Sequence, residues 1–165
     1  MAKCIILLVS ALCLFSLLSI AHGDERFFVE GKIYCDTCRA QFITRASQYM
    51  KGAKVRLECR DREGGSLTFS VEGETDESGT YRLQVEGDHE EEICEIVPLK
   101  SGNPDCNEVN QDYFLRKSAR ISLTKNNGIA SPVRAANPLG FMKKEPLPEC
   151  PEVLKELGIT PSGLV

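Results

Sequence analysis

Lys54-Val55-Arg56-Leu57-Glu58-Cys59-Arg60 alternates without a break, with Val55, Leu57 and Cys59 on one side and Lys54, Arg56, Glu58 and Arg60 on the other. Strict alternation is the period of a half-buried β-strand, because successive side chains point to opposite faces of a sheet. Outward from this stretch the pattern returns in Tyr81, Leu83 and Val85 against Arg82, Gln84 and Glu86. It returns again in Ala119, Ile121 and Leu123 against Arg120, Ser122 and Thr124, and in Leu67, Phe69 and Val71 against Thr68 and Ser70. Phe27 to Tyr34 is aromatic and β-branched, as strands prefer. Glu92 to Leu99 is more continuously apolar and reads as a strand covered on both faces. These segments predict six strands.

Breakers separate them: Arg62-Glu63-Gly64-Gly65, Asp76-Glu77-Ser78-Gly79 and Gly102-Asn103-Pro104. Short turns between alternating strands imply antiparallel pairing. Helix is scarce. Arg39 to Met50 predicts one or two turns, and Pro151 to Leu157 begins with Pro, carries Glu152 in its first turn and meets Gly158 as a stop. Residues 126–148, rich in Pro, Gly and Asn, read as an ordered loop tied down by Cys150. The expected fold is all-β, a single antiparallel β-sandwich or barrel of six or seven strands with a short C-terminal helix. Gly52 to Leu57 followed by Thr75-Asp76-Glu77-Ser78-Gly79-Thr80-Tyr81 is similar to the turn pattern of transthyretin-like sandwiches, and an immunoglobulin-like topology is the alternative.

The chain has 165 residues, 42% of them hydrophobic and 27% charged, with a formal charge of −4. That composition belongs to a globular protein and excludes collagen-like and disordered classes. The negative charge argues against binding through nucleic-acid phosphates. Lys3 followed by an apolar run from Cys4 to Ser19, with Ala21 and Gly23 at the −3 and −1 positions, reads as a signal peptide over residues 1–23. The mature domain is then 24–165, secreted to the extracellular space and without membrane insertion after cleavage. It keeps Cys35, Cys38, Cys59, Cys94, Cys106 and Cys150, an even number in an oxidising compartment, which favours three disulfides and leaves their pairing open.

The residues offer several candidate chemistries. Cys35-Asp36-Thr37-Cys38, after a strand and before a possible helix, has the layout of a thiol–disulfide oxidoreductase. The rival is that each cysteine bridges to a distant partner, and the lack of a βαβ pattern favours it. A zinc site lacks a second Cys pair and has only His89 to offer, in the acidic turn Gly87-Asp88-His89-Glu90-Glu91-Glu92, which reads as solvated and lacks calcium-loop spacing. No Gly-x-Ser-x-Gly elbow occurs. No catalytic residue, cofactor or metal ligand is assigned, and the protein is expected not to be an enzyme. Asn103, Asn107, Asn110, Asn126, Asn127 and Asn137 all lack a hydroxyl residue two positions on, so no N-glycan is expected. Arg116, Lys117, Arg120 and Lys125 form a modest basic stripe, read as a solvated strand edge.

Glu30-Gly31-Lys32-Ile33-Tyr34-Cys35-Asp36-Thr37-Cys38-Arg39 closely resembles the signature of the Ole e I-like pollen protein family, the olive major-allergen type. The resemblance continues through Phe69 to Gly73, Thr75-Asp76, Gly87-Asp88-His89, Ile93-Cys94, Asn137-Pro138-Leu139, Phe141-Met142, Cys150 and Leu157-Gly158. It implies disulfides Cys35 to Cys106, Cys38 to Cys150 and Cys59 to Cys94. It also implies a non-enzymatic, secreted pollen or anther protein, linked to pollen hydration, germination and tube growth, with allergens among its relatives. A receptor-kinase ectodomain is the partner it implies. A cell-wall polysaccharide is the alternative partner, for which Tyr49, Tyr113 and Phe114 are the candidate platform.

Overall fold

Strand β1 (Arg26–Asp36) is the spine of the first sheet in the computed structural model, which describes residues 26–109, 118–160 and 163–164. The expected leader 1–23, Tyr113, Phe114, Arg116 and Lys117 lie outside the described residues. One edge of β1 pairs antiparallel with β5 (Thr80–Glu86) along Arg26 to Lys32 and with β2 (Gln48–Tyr49) at Tyr34 and Cys35. Its other edge pairs parallel with β8 (Val133–Ala135) and then β9 (Leu139–Met142). The second sheet has the order β4 (Leu67–Glu74), β3 (Lys54–Asp61), β6 (Glu92–Lys100), β7 (Ala119–Ile121), with every pair antiparallel.

The two sheets close over one core. Phe27, Val29 and Ile33 of β1 with Tyr81, Leu83 and Val85 of β5 face Val55, Leu57 and Cys59 of β3 with Cys94 and Ile96 of β6, all buried. The approach is close: a Cβ on Gly73 of β4 would lie 2.4 Å from Leu83 Cδ2. At Gly31 a Cβ would lie 2.2 Å from the Tyr81 hydroxyl, so glycine at this register lets the large ring lie flat on the neighbouring strand. The turn before β5 is built as its sequence implies. Asp76 Oδ1 accepts from the amides of Ser78 and Thr80 at 2.8 and 3.0 Å, and Gly79 takes φ 73 where any Cβ would meet the Ile33 carbonyl.

The six expected strands are present, and the expected sandwich is the fold. Four local expectations change. Residues 39–50 are not helical: Arg39 and Gln41 take φ 56 and 65, and the segment runs through turns into β2. Residues 126–148 are more than a loop, since β8 and β9 lie within them and make the first sheet mixed. β6 is covered on one face only, with Cys94 and Ile96 inward and Ile93 and Leu99 exposed. His89 of the supposedly solvated turn has a side chain only 8% exposed. The C-terminal helix α1 (Cys150–Glu156) ends before Gly158, whose φ of 73 stops it, and β10 (Ile159–Thr160) pairs with β11 (Gly163–Leu164) beyond. Among the described residues no helix is long and apolar enough to cross a membrane.

Candidate functional site

At the C-terminal end of β1 the chain stops being a strand and becomes a knot. Cys35 is bonded to Cys106, and Cys38 to Cys150 at the start of α1. Between them Asp36 is buried. Its oxygens accept three backbone amides, from Cys38 at 3.3 Å, Ala40 at 3.0 Å and Gln41 at 2.6 Å. A carboxylate collecting successive amides in this way satisfies donors that an irregular buried backbone would otherwise leave unpaired. It also explains the two left-handed residues, whose conformations aim the amides of Ala40 and Gln41 inward.

The remaining motif residues tighten the same knot. Thr37 Oγ1 donates to the Ala46 carbonyl at 2.9 Å, and the Thr37 carbonyl accepts from the Leu147 amide at 3.1 Å. Arg39 reaches across to Glu108 at 2.6 Å and to the Lys143 carbonyl at 2.7 Å, fastening the loop to the segments after β6 and β9. Tyr34 is buried beside Asp36. Desolvation, and then the Asp36 charge, push its phenol up to about 12. Every polar residue from Asp36 to Arg39 is thus used to hold backbone.

That geometry does not support thiol–disulfide chemistry at Cys35 and Cys38. They are not bonded to each other, and no helix N-terminus follows Cys38 to stabilise a thiolate. Between exposed Gln41 and Arg45 the knot presents an apolar pair outward. Phe42 and Ile43 each stand 41% exposed, and Phe42 lines a cleft of about 510 Å³ with Tyr34, Gln41, Pro138, Leu139 and Met142.

The third disulfide lies elsewhere. Cys59 and Cys94 are directly opposed on β3 and β6, inside the second sheet. On the outer face of β3, Glu58 is buried between Arg56 at 2.7 Å and Arg60 at 2.8 Å, and the bond to Arg60 first of all holds its carboxyl below the usual carboxylate range. Of the basic stripe, Arg120 is exposed on β7 opposite Glu95, and Lys125 is exposed after it. Of the aromatic platform, Tyr49 is exposed, with Lys32 Nζ 4.2 Å above its ring.

Residues 25–158 match the family described as "Pollen protein Ole e 1 like". The chain belongs to that family. It is 66% identical over 165 residues to the Olee1-like protein of Betula pendula, covering 100% of this chain and 99% of that one. Pollen allergen Che a 1 of Chenopodium album is 55% identical over 162 residues, 96% of each chain. Anther-specific protein LAT52 of Solanum lycopersicum is 51% identical over 162 residues, 98% of each. Among solved structures, the crystal structure of the major plantain pollen allergen Pla l 1 superposes with a TM-score of 0.69 at 38% identity, over 76% of this chain and 99% of that one. These relatives are named as allergens and pollen or anther proteins, and none of the names is an enzyme's.

In this Ole e 1-like chain the family signature has a physical reading that sequence alone did not supply. Gly31 admits Tyr81, the two cysteines bind separate segments, Asp36 gathers amides and Arg39 ties down the rim. The residues sequence reasoning missed are Phe42 and Ile43. An apolar pair inside a segment expected to be helical gives no sign that it will be held outward.

Proposed function

We propose that this protein is a secreted, non-enzymatic factor of pollen or anther that works by binding a cell-surface receptor-kinase ectodomain during pollen hydration, germination or tube growth. The observation that carries this reading is the Phe42–Ile43 tip. Apolar anchors exposed on a loop already fixed by two disulfides and the Asp36 carboxylate lose little entropy on docking. Family membership supports the setting, and three disulfides suit an oxidising, extracellular compartment. Cleavage after Gly23 would leave Asp24 as the first residue, which N-terminal peptide mass spectrometry of the secreted protein reads directly.

A wall-polymer partner is the weaker reading, because a sugar ring stacks on an open aromatic face and Tyr49 has one face under Lys32. The deciding experiment is capture of receptor ectodomains from solubilised pollen membranes with the oxidised chain and with a Phe42→Asp/Ile43→Asp variant. Retention of a receptor-kinase ectodomain by the first and not the second is expected. Equal retention by both, or by neither, rejects this face.

A further inference from the structure

The Cys59–Cys94 disulfide has two further donors beside it. Cys59 Sγ, Cys94 Sγ, His89 and Glu92 place one ligand atom each within 4.8 Å of all the others, the one such group among the described residues. Their spacing in sequence hides this, since Cys59 comes from β3, His89 from the turn after β5, and Glu92 and Cys94 from β6. The strand register brings Cys59 opposite Cys94. We propose that, when a thiol reductant opens this disulfide, the four side chains become a closed tetrahedral site for Zn²⁺.

The balance is simple. A dithiol gives two electrons and two protons to the disulfide and becomes a disulfide itself, or a phosphine with one water does so and becomes the phosphine oxide, leaving two thiols. Binding Zn²⁺ then releases their two protons, giving a Cys₂HisGlu donor set. In a zinc tetrahedron with bonds of about 2.0–2.3 Å, neighbouring donors sit roughly 3.3–3.8 Å apart. The present cluster therefore needs the two sulfurs to separate and the outer donors to close by about 1 Å.

Three features beyond proximity favour a metal. His89 Nδ1 points at the cluster, 2.7 Å from a Glu92 oxygen, while its Nε2 lies 3.3 Å from the Glu86 carbonyl. In this structure Nδ1 donates to the Glu92 carboxylate; a metal taking Nδ1 would move that proton to Nε2, where the Glu86 carbonyl accepts it, the arrangement of a zinc-bound histidine. Phe69 lies against the ring, with centroids 5.0 Å apart, and holds that orientation. Finally, a cleft of about 590 Å³ reaches the cluster, with His89, Glu92 and Cys94 in its wall beside Arg62 and Arg120. It offers entry to reductant and ion, and the two guanidiniums offset the single negative charge of the filled centre.

The test is cobalt titration of the full secreted chain, oxidised and after phosphine reduction. One equivalent of Co²⁺ is expected to give a thiolate-to-cobalt band in the reduced chain alone, bleached by Zn²⁺. His89→Ala and Glu92→Gln, both prepared oxidised and therefore folded, should bind at least about 10–100-fold more weakly after reduction, since losing a ligand costs no less than losing the group that orients one. Cys59→Ser/Cys94→Ser should give no band, which separates this pair from the other four cysteines. Absence of the band in the reduced native chain, whether or not the chain has unfolded, overturns the proposal. So does a band that survives the double serine variant, or an affinity indifferent to His89.

Discussion

Cys59 and Cys94 are joined where a ladder of hydrogen bonds already sets them face to face, whereas Cys38 and Cys150 are joined across segments that no ladder connects. In the second sheet, register is over-determined: β3 is paired on both edges, and Val55, Leu57 and Cys59 are wholly buried. At the end of β1 the backbone is irregular and its order comes from covalent bonds, one carboxylate and one guanidinium. The sheet uses its disulfide as a staple on something already folded. The knot uses its Cys38–Cys150 bond where secondary structure has ended.

Removing the bonds separately sharpens that contrast most. Loss of the Cys38–Cys150 bond, whose cysteines have a sequence separation of 112, as Cys38→Ser/Cys150→Ser should cost about 4–5 kcal/mol of unfolding free energy through the freed unfolded chain. Cys59→Ser/Cys94→Ser, spanning 35 residues, should cost about 3–4 kcal/mol in the same treatment. Amide hydrogen exchange distinguishes the regions better than the totals do. After the first change, amides 38–47 should lose protection while β3 stays protected; after the second, β3 and β6 should remain protected below global unfolding. Equal local loss in both variants would break the comparison.

Asp36→Ala tests the carboxylate alone. Three inward amides lose their acceptor, and a loss of about 3 kcal/mol in urea unfolding is expected, with both knot disulfides intact by peptide mapping. The counterpart on the sheet is smaller: Glu58→Gln should cost about 1 kcal/mol near neutral pH, since the amide oxygen still accepts from one arginine. It should also remove an acid-side dependence. Because Glu58's folded pKa is depressed, its contribution is present above the ordinary carboxylate range and fades as pH falls through the lower folded value. The native chain should therefore lose its margin over the Gln variant on acidification, as urea midpoints against pH would reveal.

The smallest effect is at Tyr34. A phenol raised to about 12 keeps its proton while the unfolded chain loses it near 10, so stability should decline between about pH 10 and 12. Difference absorbance titration should find two late-ionising tyrosines, of which the earlier disappears in Tyr34→Phe while Tyr81, which burial raises further, remains. Titration of Tyr34 at the ordinary value would mean the knot is wetter than its geometry implies.

The contrast between the regions is also the boundary of what sequence could reveal. β3 and β5 are legible because alternation records which face is buried, and burial on one face is what a sheet requires. Asp76 and Gly79 are legible because a tight turn is a local demand. Residues 39–50 were not, since their composition tolerates a helix and the groups that forbid it are distant: Cys150 pulls on Cys38, and Asp36 withdraws amides that a helix would have used. β8 and β9 escape because three or four residues are too few to display a period, and their partner lies about a hundred residues earlier. His89 was read as wet from its acidic neighbours, whereas Phe69 and Glu92 enclose it.

The span of the Cys38–Cys150 bond has a temporal meaning as well. A chain emerging at about 5–20 residues per second leaves Cys38 without its partner for roughly 6–20 s after it is made. Cys35 precedes Cys38, and Cys59, Cys94 and Cys106 are all made within that interval. The native connection therefore requires either that Cys38 stay reduced or that an earlier pairing be exchanged, and thiol–disulfide exchange takes seconds to hours unaided. The loop at the head of the domain takes its final form only after the helix at its tail has been synthesised.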